Sequence, residues 1–98
     1  MTDLVTHLPD GHRGAFVIAR DGKQLATMTY TVADNVGIII DHTEVDPVLR
    51  GTGAGGKLLD ALVEWVRSTG QKVVPVCPFA KAQFDKRPEI QDVLKQRS

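Results

Sequence analysis

Four glycines fall within six positions in the run Arg50-Gly51-Thr52-Gly53-Ala54-Gly55-Gly56-Lys57. Residues without a Cβ let backbone N–H groups approach an anion closely, and an apolar-periodic segment begins directly behind them. A helix starting there adds unpaired donors and roughly half a positive charge, so a phosphate or pyrophosphate is the natural guest. The plainer reading is a glycine-rich turn with no guest, although so many glycines make a turn entropically unfavourable. Two familiar phosphate patterns fail on neighbouring residues. Gly51-x-Gly53-x-x-Gly56 fits a dinucleotide fingerprint, which calls for an acidic residue about twenty positions on, at the end of the next strand. The sequence there reads Val76-Cys77-Pro78. Gly51-x-x-x-x-Gly56-Lys57 opens like a nucleoside-triphosphate loop, but Leu58 stands where a Ser or Thr would bind magnesium.

The elements that must position this loop change period halfway along the chain. Residues 15–19 form an apolar, β-favouring run, Asp21-Gly22 supplies a turn, and 25–32 continues with Thr27, Thr29, Tyr30 and Thr31, which together predict a hairpin. Residues 36–45 read as a third strand, and Ile38-Ile39-Ile40 lacks polar alternation, which predicts burial on both faces. Residues 4–6 read as a further short strand, whereas 7–14 holds turn formers and leaves His7 and His12 in solvent. Beyond the loop, Leu58, Leu59, Leu62, Val63 and Val66 recur at three- and four-residue steps opposite Lys57, Asp60, Glu64 and Arg67. That pattern predicts a helix with Trp65 against the core, closed by Gly70. A strand at 72–77 follows, and a right-handed crossover lays it parallel to the Ile38 strand. Helical stretches at 80–86 and 89–96 complete an α+β unit with a mixed, mostly antiparallel sheet.

With 98 residues, 42% of them hydrophobic, the chain has enough for one core, so a single domain over 1–98 is expected. Twelve basic and twelve acidic side chains give no net charge, which argues against a nucleic-acid partner. Met1-Thr2-Asp3-Leu4 shows no basic segment followed by an apolar one, and no apolar run is long enough to span a bilayer. A soluble, cytoplasmic protein with no membrane partner is the expectation. Cys77 is the sole cysteine, so it has no internal disulfide partner, and no zinc-ligand spacing surrounds it.

Arg50-x-x-Gly53-x-Gly55, entered through Val45-Asp46-Pro47 and followed by Lys57-Leu58-Leu59, resembles the loop of the GNAT superfamily of N-acetyltransferases. More narrowly, the chain is similar to the short stand-alone branch containing the N-acetyltransferase domain-containing proteins. His42-Thr43-Glu44-Val45, the 50–57 loop, the run from Val73 through Pro75 and Cys77 to Phe79, and Pro88-Glu89 carry that closer match. The resemblance implies a minimal GNAT fold whose parallel βαβ unit splays to bind coenzyme A. It implies acetyl-CoA as cosubstrate, no metal, and a primary amine of a small molecule, peptide or protein as acceptor. It assigns the pyrophosphate to the backbone of Gly51, Thr52, Gly53, Ala54, Gly55 and Gly56, with Arg50 contributing charge. Val45 would present its backbone to the pantetheine arm, and Pro75, having no N–H, suits a place where strands part.

Many enzymes of this superfamily carry a base carboxylate early on the central strand and an acidic tyrosine after the next strand. Here those regions hold Ile38-Ile39-Ile40, and Phe79 and Phe84 with no tyrosine. Ligands gather at the carboxyl ends of strands in open sheets, which leaves Cys77 and His42 as the chemical groups beside the expected cleft. Cys77 would accept the acetyl group or protonate the departing thiolate, or else serve as a small buried hydrophobe. His42 would act as base, with Glu44 steering a cationic amine, or else be a hydrogen-bonded core histidine sharing a strand face with Ile38 and Ile40. A non-catalytic acyl-CoA-binding module is the alternative function. Arg87 replaces the histidine usual before the Pro88 equivalent. So short a chain leaves the acceptor site open, or completed by a second copy in a homodimer.

Overall fold

The computed structural model describes residues 4–95. Its five-stranded sheet runs in chain order: β1 (Val5–Asp10), β2 (Arg13–Arg20), β3 (Lys23–Ala33), β4 (Gly37–Val45) and β5 (Val73–Pro75). The first three pairings are antiparallel and β4–β5 is parallel. The hairpin turn is Asp21-Gly22, and both residues have positive φ (51° and 80°), the twist that a two-residue connection between right-twisted strands demands. β4 and β5 are joined by α1 (Ala54–Thr69), which ends on Gly70 in the left-handed region (φ 75°). After β5 come α2 (Pro78–Lys86) and a 3₁₀ segment, Pro88–Val93.

One face of the sheet carries the core. Leu58, Leu59, Leu62, Val63 and Val66 of α1 pack on Phe16, Ile18, Met28, Tyr30, Ile38 and Ile40, and Ala80, Phe84, Ile90 and Val93 close the same cluster. Two ion pairs hold the C-terminal segment to α1, Arg67 with Asp92 and Arg87 with Asp60, and Arg87 also pairs with Glu89 within that segment. On β3 the buried residues alternate with Thr27, Thr29 and Thr31, which lie half-exposed on the opposite face.

Several expectations are corrected. Residues 7–10 belong to β1, and the turn is confined to positions 11 and 12. β1 is an edge strand, so Pro9 is tolerated where one side of the ladder needs no donor. Ile38 and Ile40 are fully buried but Ile39 is only half-buried, so this part of β4 is covered on one face rather than two. β5 is three residues long, shorter than the expected 72–77 strand. The expected last helix is a 3₁₀ segment, and Leu94 then bridges in parallel to Val73; position 96 and the leader reading of Met1-Thr2-Asp3 lie outside the described residues.

A register shift in β4 decides which side chains reach each face at the end of the strand. Tyr30 pairs with Ile40, but Thr29 pairs with His42, so Asp41 is an extra residue, and its carboxylate accepts the Thr31 hydroxyl at 2.7 Å. Beyond such a bulge the alternation of faces inverts. Thr43 and Val45, opposite Met28 and Ala26, therefore join the core side, while His42 and Glu44 pass to the opposite face with Thr29 and Thr27.

Candidate functional site

The parallel pairing of β4 and β5 lasts from Ile38↔Val73 to Ile40↔Pro75 and then stops. Pro75 offers no N–H, and the N–H groups of Val76 and Cys77 both converge on the Ile40 carbonyl, at 3.2 and 3.0 Å. Pro78 then starts α2 and turns the chain away. β4 continues to Val45 against β3 alone; among the described residues no strand pairs with its other edge there. The Asp46 N–H donates to Leu25 on β3 (2.7 Å), so by the alternation of an antiparallel ladder the backbone groups of Thr43 and Val45 point away from β3, into the gap.

The glycine loop stands at the end of this gap. Asp46 accepts the Val48 N–H at 3.0 Å and starts a single 3₁₀ turn, Pro47–Leu49. Gly51 and Gly53 then adopt positive φ (81° and 82°), which aims the chain into α1. The cap residue Gly53 has no side chain, no acidic residue lies in the first turn, and the first helical bond is Lys57 N–H to Gly53 at 3.0 Å. The N–H groups of Gly53, Ala54, Gly55 and Gly56 therefore have no partner within the helix. Thr52 differs, because its N–H and hydroxyl both donate to the Leu49 carbonyl and shape the turn. A cavity of about 350 Å³ opens here between Val45 and Leu49, the loop with Arg50, and Phe79 and Gln83 of α2. Gly55 admits the Phe79 ring: a methyl at position 55 would lie 2.9 Å from Cε2 and closer still to Cζ. A methyl at Gly56 would meet nothing within 4 Å.

The remaining sequence-derived residues form two separate pairs. Cys77, only 3% exposed, occupies the N-cap position of α2, and its thiol donates to the Thr43 hydroxyl at 3.3 Å. His42 and Glu44 bond to each other, Nε2 to Oε1 at 3.0 Å, with side chains 65% and 76% exposed. The core-histidine reading of His42 is thereby overturned, and so is its placement on the Ile38 and Ile40 face. The bulge accounts for both. A groove of about 490 Å³ runs past His42 and Glu44, bordered by Gln24, Thr27, Asp46 and Arg50. The two pairs therefore stand on opposite faces of β4, on either side of the gap.

Sequence reasoning missed Thr43, because its facing depends on the bulge, and it misplaced His7. His7 is half-buried rather than fully solvated. Its ring stacks on Phe16 (centroids 4.2 Å apart, planes 7°), meets Trp65 edge-on at 4.6 Å and shares a hydrogen bond with the Tyr30 hydroxyl at 2.5 Å. Burial lowers the His7 pKa below its usual 6.5 and raises that of Tyr30 above 10.0. The Tyr30 phenol also lies directly over Gly14.

A family model described as GCN5-related N-acetyl-transferase matches residues 15–93. Among solved structures, a GCN5-like protein from Staphylococcus aureus, proposed to be an N-acetyltransferase, is 37% identical with a TM-score of 0.74, over 100% of this chain and 94% of that one. The glucosamine-6-phosphate N-acetyltransferase of Arabidopsis thaliana is 25% identical with a TM-score of 0.56, over 89% of this chain and 63% of its own. The ribosomal-protein-alanine N-acetyltransferase of Brucella melitensis shares the fold at 20% identity and a TM-score of 0.62, over 91% of this chain and 66% of that one. No protein of curated function matches the chain.

Proposed function

Because the chain belongs to the GCN5-related N-acetyltransferase family, we propose that it binds acetyl-CoA across the gap between β4 and β5 and transfers the acetyl group directly to a primary amine. The observation that carries this reading is the meeting of an unpaired β4 edge with a loop of unpaired helix-start amides. The Gly51 and Gly53–Gly56 N–H groups, with Arg50 beside them, suit a pyrophosphate, and the Thr43 and Val45 backbone suits the amide groups of an extended arm. Acetyl-CoA supplies a thioester whose carbonyl carbon is the electrophile.

The two side-chain pairs divide the proton work. His42, supported by Glu44, takes a proton from an amine arriving over the exposed face. Cys77, on the buried face, gives its proton to the departing sulfur, and solvent returns the proton from His42 to Cys77. The C–N bond forms as the C–S bond breaks, and the sums are one amide and one coenzyme A thiol. Direct transfer is favoured over an acetyl-cysteine because an amine on the open face has poor access to Cys77, a residue only 3% exposed.

Coenzyme A release across a panel of amines tests the reading, run alongside the Cys77→Ala variant and intact-mass measurement. The expected result is turnover with at least one amine, a lower kcat in the variant, and no mass increment of the wild-type protein in acetyl-CoA alone. An acetyl adduct on Cys77 would replace direct transfer by a covalent route. Binding without turnover for every amine would leave the acyl-CoA-binding module.

A further inference from the structure

The Thr43 hydroxyl has no place in the proton transfers assigned to His42 and Cys77, yet it is held at a particular spot. β4 would carry position 43 to the exposed face if the strand were regular; the extra residue at Asp41 brings it to the core side instead, opposite Met28, which is fully buried. Position 43 is itself half-buried, and on this side its hydroxyl meets a protein partner. Its partner is the Cys77 thiol at 3.3 Å, and Cys77 is itself fixed by its N–H on the Ile40 carbonyl, where the two strands part. Among the described residues the Thr43 hydroxyl has no acceptor for its own hydrogen.

A hydroxyl is both acceptor and donor and turns about one bond to suit. Thr43 accepts from the S–H of Cys77 as thiol, and by rotating it donates to the sulfur as thiolate, in a stronger, charge-assisted bond. We propose that Thr43 is the positioning residue for Cys77: at rest it accepts the S–H and holds the sulfur beside the gap, and as the S–H swings to the coenzyme A sulfur it turns to donate to the thiolate left behind. The proposal rests on direct transfer, in which Cys77 is the proton donor. Thr43 gains and loses no atoms in the step: the S–H bond of Cys77 breaks, the S–H bond of coenzyme A forms, and the Thr43 O–H only reorients.

The test uses the full chain as wild type, Thr43→Val, Thr43→Ser and Cys77→Ala. Cys77 is the only cysteine, so the S–H stretch in the infrared spectrum arises from this one bond, with Cys77→Ala as the blank. The band is expected to move to higher frequency in Thr43→Val, as for an unbonded thiol, and to return towards the wild-type position in Thr43→Ser. In parallel, kcat is expected to fall about tenfold in Thr43→Val, the scale of one charge-assisted hydrogen bond, with KM for acetyl-CoA unchanged and rescue by Thr43→Ser. Circular dichroism melts identify any variant whose fold has changed. An S–H band unmoved in Thr43→Val overturns the hydrogen bond, and a shifted band with undiminished kcat overturns its role in transfer. Full turnover in Cys77→Ala overturns the proton-donor reading itself, which the infrared arm does not depend on.

Discussion

Replacing Gly56 by alanine should push stability and ligand affinity in opposite directions. Gly56 is the third residue of α1, it has ordinary helical backbone, and a methyl there meets nothing within 4 Å. Glycine is roughly 0.8–1 kcal/mol worse than alanine inside a helix, and less near an end, so a gain of about 0.5–1 kcal/mol is expected. For a domain of this size that raises Tm by roughly 2–8 °C. The same methyl stands on the wall of the loop cavity, beside one of the unpaired amides. Pyrophosphate oxygens must come within about 2.9 Å of such an N–H, and loss of one charge-assisted hydrogen bond is worth about 1.5–3 kcal/mol. The Kd for coenzyme A should rise roughly 10- to 100-fold. Thermal melts read the first effect and isothermal titration calorimetry the second. The contrast is Gly55→Ala, which drives a methyl into the Phe79 ring and should lower Tm despite the same gain in propensity. A more stable Gly56→Ala protein with unchanged affinity would refute the assignment of the first-turn amides to the phosphates.

The aromatic cluster under β1 gives two further expectations. In Gly14→Ala a methyl would lie 2.5 Å from Tyr30 Cζ and closer to the oxygen, so the phenol is displaced from His7; overpacking and the lost hydrogen bond together cost about 2–4 kcal/mol, and Tm should fall by roughly 10–20 °C in thermal melts. Burial lowers the folded-state pKa of His7, so the stability it contributes is complete above the unfolded value near 6.5 and is lost as pH falls from there through the folded pKa. Melts followed by the fluorescence of Trp65, the sole tryptophan, should show Tm declining over that window in wild type but not in His7→Gln; equal slopes would contradict the burial of His7. Glu89 and Asp92, held low by Arg87 and Arg67 respectively, lose their contribution as pH falls from the ordinary carboxylate range downward, below the pH near 6.5 at which the His7 decline begins.

What was legible in the sequence was local. Asp21-Gly22 announced its turn because few residues accept two successive positive φ values, and the Leu58 to Val66 spacing announced the buried face of α1 because 3.6-residue periodicity needs no knowledge of partners. The 50–56 loop was legible because glycine type and position carry the conformation directly. What escaped detection depended on pairing. Period-two reasoning put His42 and Glu44 with Ile38 and Ile40, and a single extra residue at Asp41, set by the match between β3 and β4, inverted the whole end of the strand. That inversion also hid Thr43. Pro9 suggested a turn until β1 proved to be an edge, and His7 looked solvated because its neighbours Phe16, Tyr30 and Trp65 come from three other elements. The narrowness of β5 was half visible: Pro75 marked the last pairing, but not that Val76 and Cys77 would share one carbonyl and leave the edge of β4 bare.

The central claim is that coenzyme A lies against both the bare edge of β4 and the amides of the loop. Titration of the ¹⁵N-labelled chain with acetyl-CoA, followed by amide chemical shifts, reads those two places at once. Saturable shifts are expected at Gly51, Gly53, Gly55 and Gly56 together with Thr43 and Val45, while Gly11 and Gly22, at the hairpin turns, stay still. Shifts confined to other surfaces, or none with acetyl-CoA but a full set with NAD or magnesium-ATP, would contradict that claim.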